Sequence, residues 1–199
     1  DELRERLVAL TEAIRVSDPT LRENWMGPVI NRAAHERYRK AIAAIGESGQ
    51  AHIGARLLDA GELSHGWFVA PTIASLPHAH ELWHEEQFLP LLLVHPVDGL
   101  DEALALANDS NLALAAGFYG SEAESRVFLD RIEAGVTYVN RPQGATTGAW
   151  PGYQPFGGWK RSSVGPGAKA GGPNYLHVLS RWEPEASRAA AGSVTGPAL

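Results

Sequence analysis

Cysteine is absent from the 199-residue chain. This absence excludes disulfide bonds, cysteine-ligated metal ions and thiolate catalysis by the chain's own side chains. Long hydrophobic runs are missing as well, since the longest mainly apolar stretch, residues 88–97, contains two prolines and a histidine. A stretch of this length is far too short to cross a bilayer, so we expect no membrane span.

Clusters of basic residues are also missing. The chain has 17 Lys and Arg against 23 Asp and Glu, a net charge of −6, and no basic run. Because neutralising a phosphate backbone needs clustered Lys and Arg, we expect no nucleic-acid partner. The first residues, Asp1 to Leu7, are mostly charged and unlike a secretory signal, which predicts a cytoplasmic protein.

The first half of the chain contains two predicted helices and two predicted strands. Apolar residues at helical spacing predict an amphipathic helix over residues 1–16, namely Leu3, Leu7, Leu10 and Ile14. A second helix, residues 31–45, is expected to begin at Asn31 as N-cap and to end at Gly46. Residues 53–57 and 67–73 are predicted strands. Pro71 predicts an edge position for the second strand, because proline cannot donate to a ladder.

A regular alternation begins near residue 91. Three short strands are predicted at 91–95, 113–119 and 136–139. The helices between them are expected to begin at Asp98 and at a capping box formed by Ser121 and Glu124. Strands that alternate with helices usually pair in parallel. The fold class predicted is therefore α/β, with a mostly parallel sheet flanked by helices.

The alternation stops after Asn140. Residues 141–172 form a long glycine-rich loop, and such a loop is either functional or disordered. Its aromatic residues favour a functional role, because disordered linkers contain few of them. We assign residues 1–172 to one partial domain that includes this loop. Residues 173–182 are predicted to form a terminal strand that serves in oligomerisation, and residues 183–199 a disordered tail.

Residues 80–84, His-Glu-Leu-Trp-His, match the H-E-x-x-H signature of zinc peptidases. In that signature two imidazoles one helical turn apart bind zinc, and the glutamate acts as general base. Pro77 and Pro90 bracket the segment and leave room for only a short helix. We therefore expect a surface helix and assign no metal ligand. A zinc hydrolase that uses this motif remains the alternative.

Six segments together resemble a known family. They are Gly-Pro-Val-Ile (27–30), Gly-Trp-Phe-Val-Ala-Pro-Thr-Ile (66–73), Glu-Glu-Gln-Phe-Leu-Pro (85–90), Asp-Glu-Ala-Leu-Ala-Leu-Ala-Asn (101–108), Ala-Gly-Val-Thr-Tyr-Val-Asn-Arg (134–141) and Pro-Phe-Gly-Gly-Trp-Lys (155–160). Their order and spacing resemble the C-terminal half of the aldehyde dehydrogenase catalytic domain. Residues 145–149 and 165–176 further resemble the L-glutamate γ-semialdehyde (1-pyrroline-5-carboxylate) dehydrogenases of proline catabolism, including those fused to proline dehydrogenase.

The resemblance implies NAD as cofactor and a small substrate with an α-carboxylate. It also implies that the chain is part of a longer homo-oligomeric protein, the parent enzyme. It implies that Glu86 holds the nicotinamide ribose hydroxyls and that Phe88 contacts the nicotinamide. The amides of Gly148 and Ala149 would hold the substrate carboxylate, since backbone N–H groups in a glycine-rich turn bind anions well. The Phe156 ring would pack on the aliphatic part of the substrate. The chain departs from the family at Leu89, where glycine is usual.

The family's chemistry needs a cysteine thiolate that attacks the aldehyde and a glutamate that activates water. By resemblance, these groups precede Asp1 in the parent enzyme. We therefore assign no catalytic residue to this chain and expect it to be inactive alone. A non-catalytic binding or assembly module with the same fold is the second alternative.

Overall fold

The computed structural model describes residues 2–142, 155–163, 170–171 and 175–182. It divides the chain into two units, Asp1–Ser110 and Asn111–Leu199. The first unit contains α1 (Glu2–Glu12), α2 (Arg32–Ser48), β1 (Gln50–Ile53), β2 (Thr72–Ser75), β3 (Leu91–Leu93) and α3 (Leu100–Asn108), with short 3-10 helices at Gly61–His65 and Glu81–Trp83. The second contains β4 (Leu112–Ala113), β5 (Ala115–Phe118), α4 (Glu122–Arg131), β6 (Val136–Val139), β7 (Trp159–Lys160) and a 3-10 helix at Tyr175–Leu179.

The core of the first unit forms around α2 and a three-stranded sheet. The sheet order is β1-β2-β3, with β1 antiparallel and β3 parallel to the central β2. The buried face of α2 consists of residues spaced three or four apart, Ala34, Tyr38, Ala41 and Ile45. Ile45 packs with Ala74 and Leu76, and Leu82, Trp83, Leu91 and Leu93 cover this cluster. The 3.6-residue period of α2 thus produces one continuous apolar stripe.

Two boundaries in the first unit differ from the sequence prediction. α2 does not end at Gly46 but continues to Ser48, and Gly49 caps it by donating its N–H to the Ile45 carbonyl over 2.9 Å. A Cβ at Gly49 would overlap the Ser75 carbonyl oxygen, so the glycine is required by a close approach to β2. α3 is capped by Gly99 rather than Asp98, whose N–H instead donates to the Glu102 carboxylate over 2.7 Å.

The strand predictions around Pro71 also need correction. β2 starts at Thr72, directly after the proline, and lies at the centre of the sheet rather than at its edge. Because Pro71 precedes the ladder, its missing N–H costs the sheet nothing. β1 ends at Ile53 because Gly54 and Ala55 have φ values of 81° and 51°, which extended strands do not tolerate. The chain pairs again at an isolated bridge between Leu57 and Val69.

α1 is shorter than expected and carries no buried residue. It ends at Glu12, and Leu3 and Leu10 are 73% and 70% exposed. The amphipathic pattern therefore predicts the helix but not a covered apolar face. Among the described residues, no helix combines the length and apolar character that crossing a bilayer requires.

The second unit contains the predicted β–α–β repeat. β5 and β6 pair in parallel, with α4 between them, and β4 pairs antiparallel with β7. The capping box is confirmed, since the Ser121 Oγ accepts from the Glu124 N–H and the Ser121 N–H donates to the Glu124 carboxylate over 3.0 Å. Phe128 is buried and stacks on Phe118, with their ring centroids 5.1 Å apart. The α/β class is thus confirmed, with small sheets of mixed pairing.

The predicted terminal strand at 173–182 is wrong where the structure describes it. Tyr175–Leu179 forms a 3-10 helix, and the Ser180 N–H donates to the His177 carbonyl over 3.2 Å. These local bonds replace the inter-strand bonds that a strand would need from a neighbour. The oligomerisation role stays a prediction. The predicted tail, 183–199, lies outside the described residues. Of the 141–172 loop, the structure describes residues 141–142, 155–163 and 170–171.

Candidate functional site

Residues 85–90 connect the second 3-10 helix to β3 and are anchored at both ends. The Glu85 N–H donates to the Glu81 carbonyl over 3.0 Å, and the Thr72 N–H donates to the Pro90 carbonyl over 2.9 Å. The Gln87 side chain donates to the Glu85 carbonyl over 3.1 Å. Both ends of the segment that carries Glu86 and Phe88 are therefore hydrogen-bonded to other parts of the first unit.

Phe88 combines backbone strain with exposure. Its φ is +51°, in the left-handed region that bulky residues avoid, and its side chain is 81% exposed. The left-handed conformation costs an L-residue about 1–2 kcal/mol, and an exposed ring regains none of this by burial. Strain of this kind concentrates at ligand-binding sites. Two residues earlier, Glu86 presents an exposed carboxylate, which can accept two hydrogen bonds from vicinal hydroxyls.

Leu89 occupies the position at which the family usually has glycine. The non-glycine residues with positive φ in the described part of the chain are Ala55, Phe88, Asn140 and Lys160, so Leu89 is not among them. Leu89 is partly buried, and its carbonyl accepts the Leu91 N–H over 2.8 Å. The tight turn thus occurs at Phe88, and leucine is compatible with the backbone at position 89.

Phe156, in the second unit, is held by its backbone. Its N–H and carbonyl exchange two hydrogen bonds with Ala170, of 2.9 and 2.7 Å, while its side chain is 44% exposed. The following residues, Gly157 and Gly158, pack so closely on Gly135 that a Cβ there would overlap the Gly157 carbonyl. Phe156 thus offers a half-exposed ring on an anchored backbone. Gly148 and Ala149 lie outside the described residues, and their role stays a prediction.

Asn140 fixes the start of the glycine-rich loop, a role that the sequence argument missed. It follows β6 with a φ of +49°. Its side-chain amide accepts from the Gly120 N–H and donates to the Gly120 carbonyl, both over 2.9 Å. One residue further, the Arg141 carbonyl accepts the Tyr119 hydroxyl over 2.8 Å. The available sequence signal was the asparagine itself, which tolerates the left-handed region better than most residues.

The His-Glu-Leu-Trp-His segment does not form the helix that the zinc-peptidase signature needs. The 3-10 helix Glu81–Trp83 spans three residues, and His80 is its N-cap, with Nδ1 accepting from the Leu82 N–H over 3.2 Å. His84 turns away and contacts the carbonyls of His78 and Asp109. Two imidazoles one α-helical turn apart are therefore not available from His80 and His84. The surface helix that we expected is this single 3-10 turn.

Comparison with known proteins gives a consistent family match. The family model described as "Aldehyde dehydrogenase family" matches residues 1–183. The 1-pyrroline-5-carboxylate dehydrogenase of Staphylococcus haemolyticus is 35% identical over 178 residues, which is 88% of this chain and 33% of that protein. The 1-pyrroline-5-carboxylate dehydrogenase 1 of Halalkalibacterium halodurans is 37% identical over the same shares. The chain spans about a third of the length of these relatives.

Solved structures agree with the sequence match. The 1-pyrroline-5-carboxylate dehydrogenase from Thermus with bound NAD has a TM-score of 0.76 and 33% identity, covering 87% of this chain and 32% of that chain. The betaine aldehyde dehydrogenase of Staphylococcus aureus in complex with NAD⁺ has a TM-score of 0.76 at 23% identity, covering 89% of this chain and 34% of that chain. At that lower identity, the second likeness supports the fold alone.

Proposed function

The chain belongs to the aldehyde dehydrogenase family, and from this premise we propose that it is part of an NAD-dependent enzyme that oxidises L-glutamate γ-semialdehyde to glutamate in proline catabolism. Relatives named 1-pyrroline-5-carboxylate dehydrogenase, 33–37% identical over 88% of the chain, support this substrate. The observation that carries the proposal is the strained and exposed Phe88 beside the exposed Glu86. The longer protein is called the parent enzyme below.

The 85–90 segment fits the nicotinamide end of NAD. The Glu86 carboxylate is exposed and suited to accept the two ribose hydroxyls, and the Phe88 ring offers an apolar surface to the nicotinamide. When bound, NAD supplies the acceptor for the hydride that leaves the aldehyde carbon. The role of the 85–90 segment in this chemistry is to hold the two side chains outward on an anchored backbone.

A cofactor-site experiment uses the parent enzyme and two neighbouring glutamates. Glu86→Gln removes the charge from the acceptor, and we expect KM for NAD to rise roughly tenfold or more, since a hydrogen bond to a charged group contributes about 1.5–3 kcal/mol. Glu85→Gln is the matched control, because Glu85 is also an exposed glutamate of the same segment. Equal effects of both substitutions would remove Glu86 from the cofactor site.

The substrate-anchor proposal concerns Gly148 and Ala149. Ala149→Pro deletes one N–H donor and restricts Gly148 to extended geometry. We expect kcat/KM for γ-semialdehyde to fall roughly ten- to a hundredfold for each lost charge-assisted hydrogen bond. A simple aliphatic aldehyde of similar length should lose far less, because it has no carboxylate. Equal losses on both substrates would contradict the carboxylate anchor and, with it, the substrate.

The chain by itself is proposed to be inactive. It contains no cysteine, so none of its side chains supplies the thiolate that the family's chemistry requires. Purified chain should produce no NADH from γ-semialdehyde above a heat-killed control. Production clearly above that control, from protein free of host enzymes, would contradict the proposal. An open reading frame without an upstream cysteine would favour the non-catalytic module instead.

We extend the proposal to the assembly and location of the parent enzyme, a cytoplasmic homo-oligomer. The support for the assembly is the presence of exposed apolar side chains near the end of the described residues, Leu176, Leu179 and Trp182, which are about 70% exposed. Light scattering on the purified parent enzyme tests the assembly, and a monomer would contradict it.

A further inference from the structure

Three potential metal ligands, His78, His84 and Asp109, meet in the first unit. His78 lies between β2 and the second 3-10 helix, His84 follows that helix, and Asp109 follows α3. One ligand atom from each lies within 4.8 Å of the other two. The His78 Nδ1 is 3.9 Å from the Asp109 carboxylate. The side chain of His78 is only 18% exposed, whereas that of Asp109 is 70% exposed, so the group is open to solvent on the carboxylate side.

Both ring nitrogens of His84 lie within hydrogen-bond distance of backbone carbonyl oxygens. Its Nδ1 lies 3.1 Å from the Asp109 carbonyl oxygen, and its Nε2 lies 3.2 Å from the His78 carbonyl oxygen. Both carbonyls only accept, and a neutral imidazole has a single N–H. If Nε2 donates to the His78 carbonyl, Nδ1 keeps its lone pair, and a ring nitrogen of His84 lies within 4.8 Å of a carboxylate oxygen of Asp109. A metal ion bound by these ligand atoms would place a positive charge at this position.

We propose that His78, His84 and Asp109 form a binding site for a divalent transition-metal ion of the zinc class. Two imidazoles and one carboxylate suit zinc, whereas calcium and magnesium prefer sets of oxygen ligands. Zinc–ligand distances of about 2.0–2.2 Å require ligand atoms about 3.4 Å apart. Side-chain rotation supplies this contraction from the present 4.8 Å limit, most easily at the exposed Asp109.

The surrounding contacts fit this assignment. A histidine that binds a metal usually donates its other ring N–H to a carbonyl, which fixes the tautomer. The His84 Nε2 has such a partner in the His78 carbonyl, which leaves Nδ1, 3.1 Å from the Asp109 backbone carbonyl, as the ligand atom. The exposed His95 ring, 6.2 Å from the His78 ring, offers a fourth ligand, and water is the other.

The proposed site differs from the zinc-peptidase motif in its ligands and in its consequence. His80 caps the 3-10 helix and is not a ligand, although it belongs to the motif. The ion would connect the end of α3, through Asp109, to the 78–84 segment. Its effect is therefore on the stability of the first unit rather than on hydrolysis.

The test compares the two histidines of the motif. Untagged chain is stripped with a chelator and titrated with zinc chloride by calorimetry at neutral pH. We expect one zinc per chain, and at least a tenfold weaker affinity in His84→Ala, since even outer-shell changes weaken metal sites about 10–100-fold. His80→Ala is the matched control and should bind like the unchanged chain. Zinc should also raise the melting temperature of the unchanged chain, because a ligand that binds the folded state stabilises it.

Asp109→Asn provides a second variant that keeps the fold, because the residue is exposed and the change is isosteric. It should weaken zinc binding by a similar factor while leaving the circular dichroism spectrum unchanged. Three results would overturn the proposal. They are no saturable zinc binding; equal binding by all variants; and an equal loss in His80→Ala, which would indicate the motif pair.

Discussion

Removing the hydroxyl of Tyr38 tests how the first unit is held together. Tyr38 is fully buried on α2, and its hydroxyl lies 2.6 Å from both the Ala70 carbonyl oxygen and the Thr72 Oγ1. The Thr72 hydroxyl in turn donates to the Ala70 carbonyl over 3.0 Å and accepts the Ala55 N–H over 2.9 Å. Tyr38→Phe removes one member of this network without changing the ring.

The magnitude follows from which groups lose a partner. After Tyr38→Phe, the Thr72 hydroxyl and the Ala70 carbonyl still bond to each other, so no buried group is left unpaired. The loss is then one net hydrogen bond, about 1–1.5 kcal/mol of unfolding free energy. Thr72→Val should cost more, about 1–3 kcal/mol, because it leaves the Ala55 N–H without its acceptor.

The same hydroxyl adds a pH dependence. Burial raises the pKa of Tyr38 above its usual value of 10.0, and the hydrogen bond with Thr72 only partly offsets this. Above pH 10 the unfolded chain releases this proton while the folded chain keeps it, so folding stability decreases as pH rises. The slope is about 1.4 kcal/mol per pH unit until the pH reaches the folded-state pKa. Tyr38→Phe has no such ionisable hydroxyl. The difference in unfolding free energy between this variant and the unchanged chain should therefore shrink above pH 10.

The measurement is urea unfolding followed by circular dichroism, together with hydrogen exchange at the Ala55 and Thr72 amides. Exchange is needed because two units need not unfold in one two-state step. Tyr119→Phe is the control, since its hydroxyl also donates to a carbonyl but the residue is 64% exposed. Its cost should stay below about 0.5 kcal/mol. The reasoning is refuted if Tyr38→Phe costs no more than this control, or if its deficit does not shrink above pH 10.

Three further outcomes are expected. Asn31→Ala should destabilise the first unit by about 1 kcal/mol in urea unfolding, while Asn31→Asp, which keeps the cap, should not; equal losses would contradict the cap. Gly46→Ala should raise the free energy of unfolding by about 0.5–1 kcal/mol, because Gly46 lies inside α2 with open space around it. Gly135→Ala should lower it by about 1–3 kcal/mol, because the added methyl would overlap the Gly157 carbonyl. Thermal melts that show the same sign for both substitutions would contradict this packing. Burial, and then the charge of Arg4, lowers the pKa of His52, so Arg4→Gln should raise that pKa in an NMR titration, and an unchanged pKa would exclude the Arg4 contribution.

The starts of α2 and α4 were predictable because their determinants are local, whereas α3 is capped by Gly99 and not by the predicted Asp98. Asn31 accepts from the N–H three residues ahead, and Ser121 and Glu124 satisfy each other across the same spacing. Helix ends and strand positions were not predictable in the same way. α2 ends at Gly49 because β2 passes close to it, and β2 lies at the sheet centre because β3 pairs with its other side. Both facts depend on residues nineteen or more positions away.

For the candidate cofactor residues, too, the sequence predicted one part of the site and not the other. The pattern Glu-Glu-Gln-Phe-Leu-Pro was sufficient to name Glu86 and Phe88 by resemblance, since both belong to one short segment. The departure at Leu89 could not be judged from sequence, because the left-handed residue in the structure is Phe88, one position earlier. A sequence pattern identifies which side chains a segment carries, whereas the bonds at Glu81 and Thr72 determine how the segment presents them.

The histidines show most clearly that a sequence spacing alone does not establish a metal site. The four-residue spacing of His80 and His84 predicts ligands only if the segment is an α-helix, and a three-residue 3-10 helix does not place both rings on one side. The ligand atoms of His84 instead lie within 4.8 Å of those of His78, six residues earlier, and Asp109, twenty-five residues later. The carboxylate comes from the end of α3, a position that no local pattern connects to the motif. Ligands that come from three separate segments can therefore be recognised only from the fold. A zinc titration of the His80→Ala and His84→Ala variants distinguishes the proposed group of His78, His84 and Asp109 from the motif pair of His80 and His84.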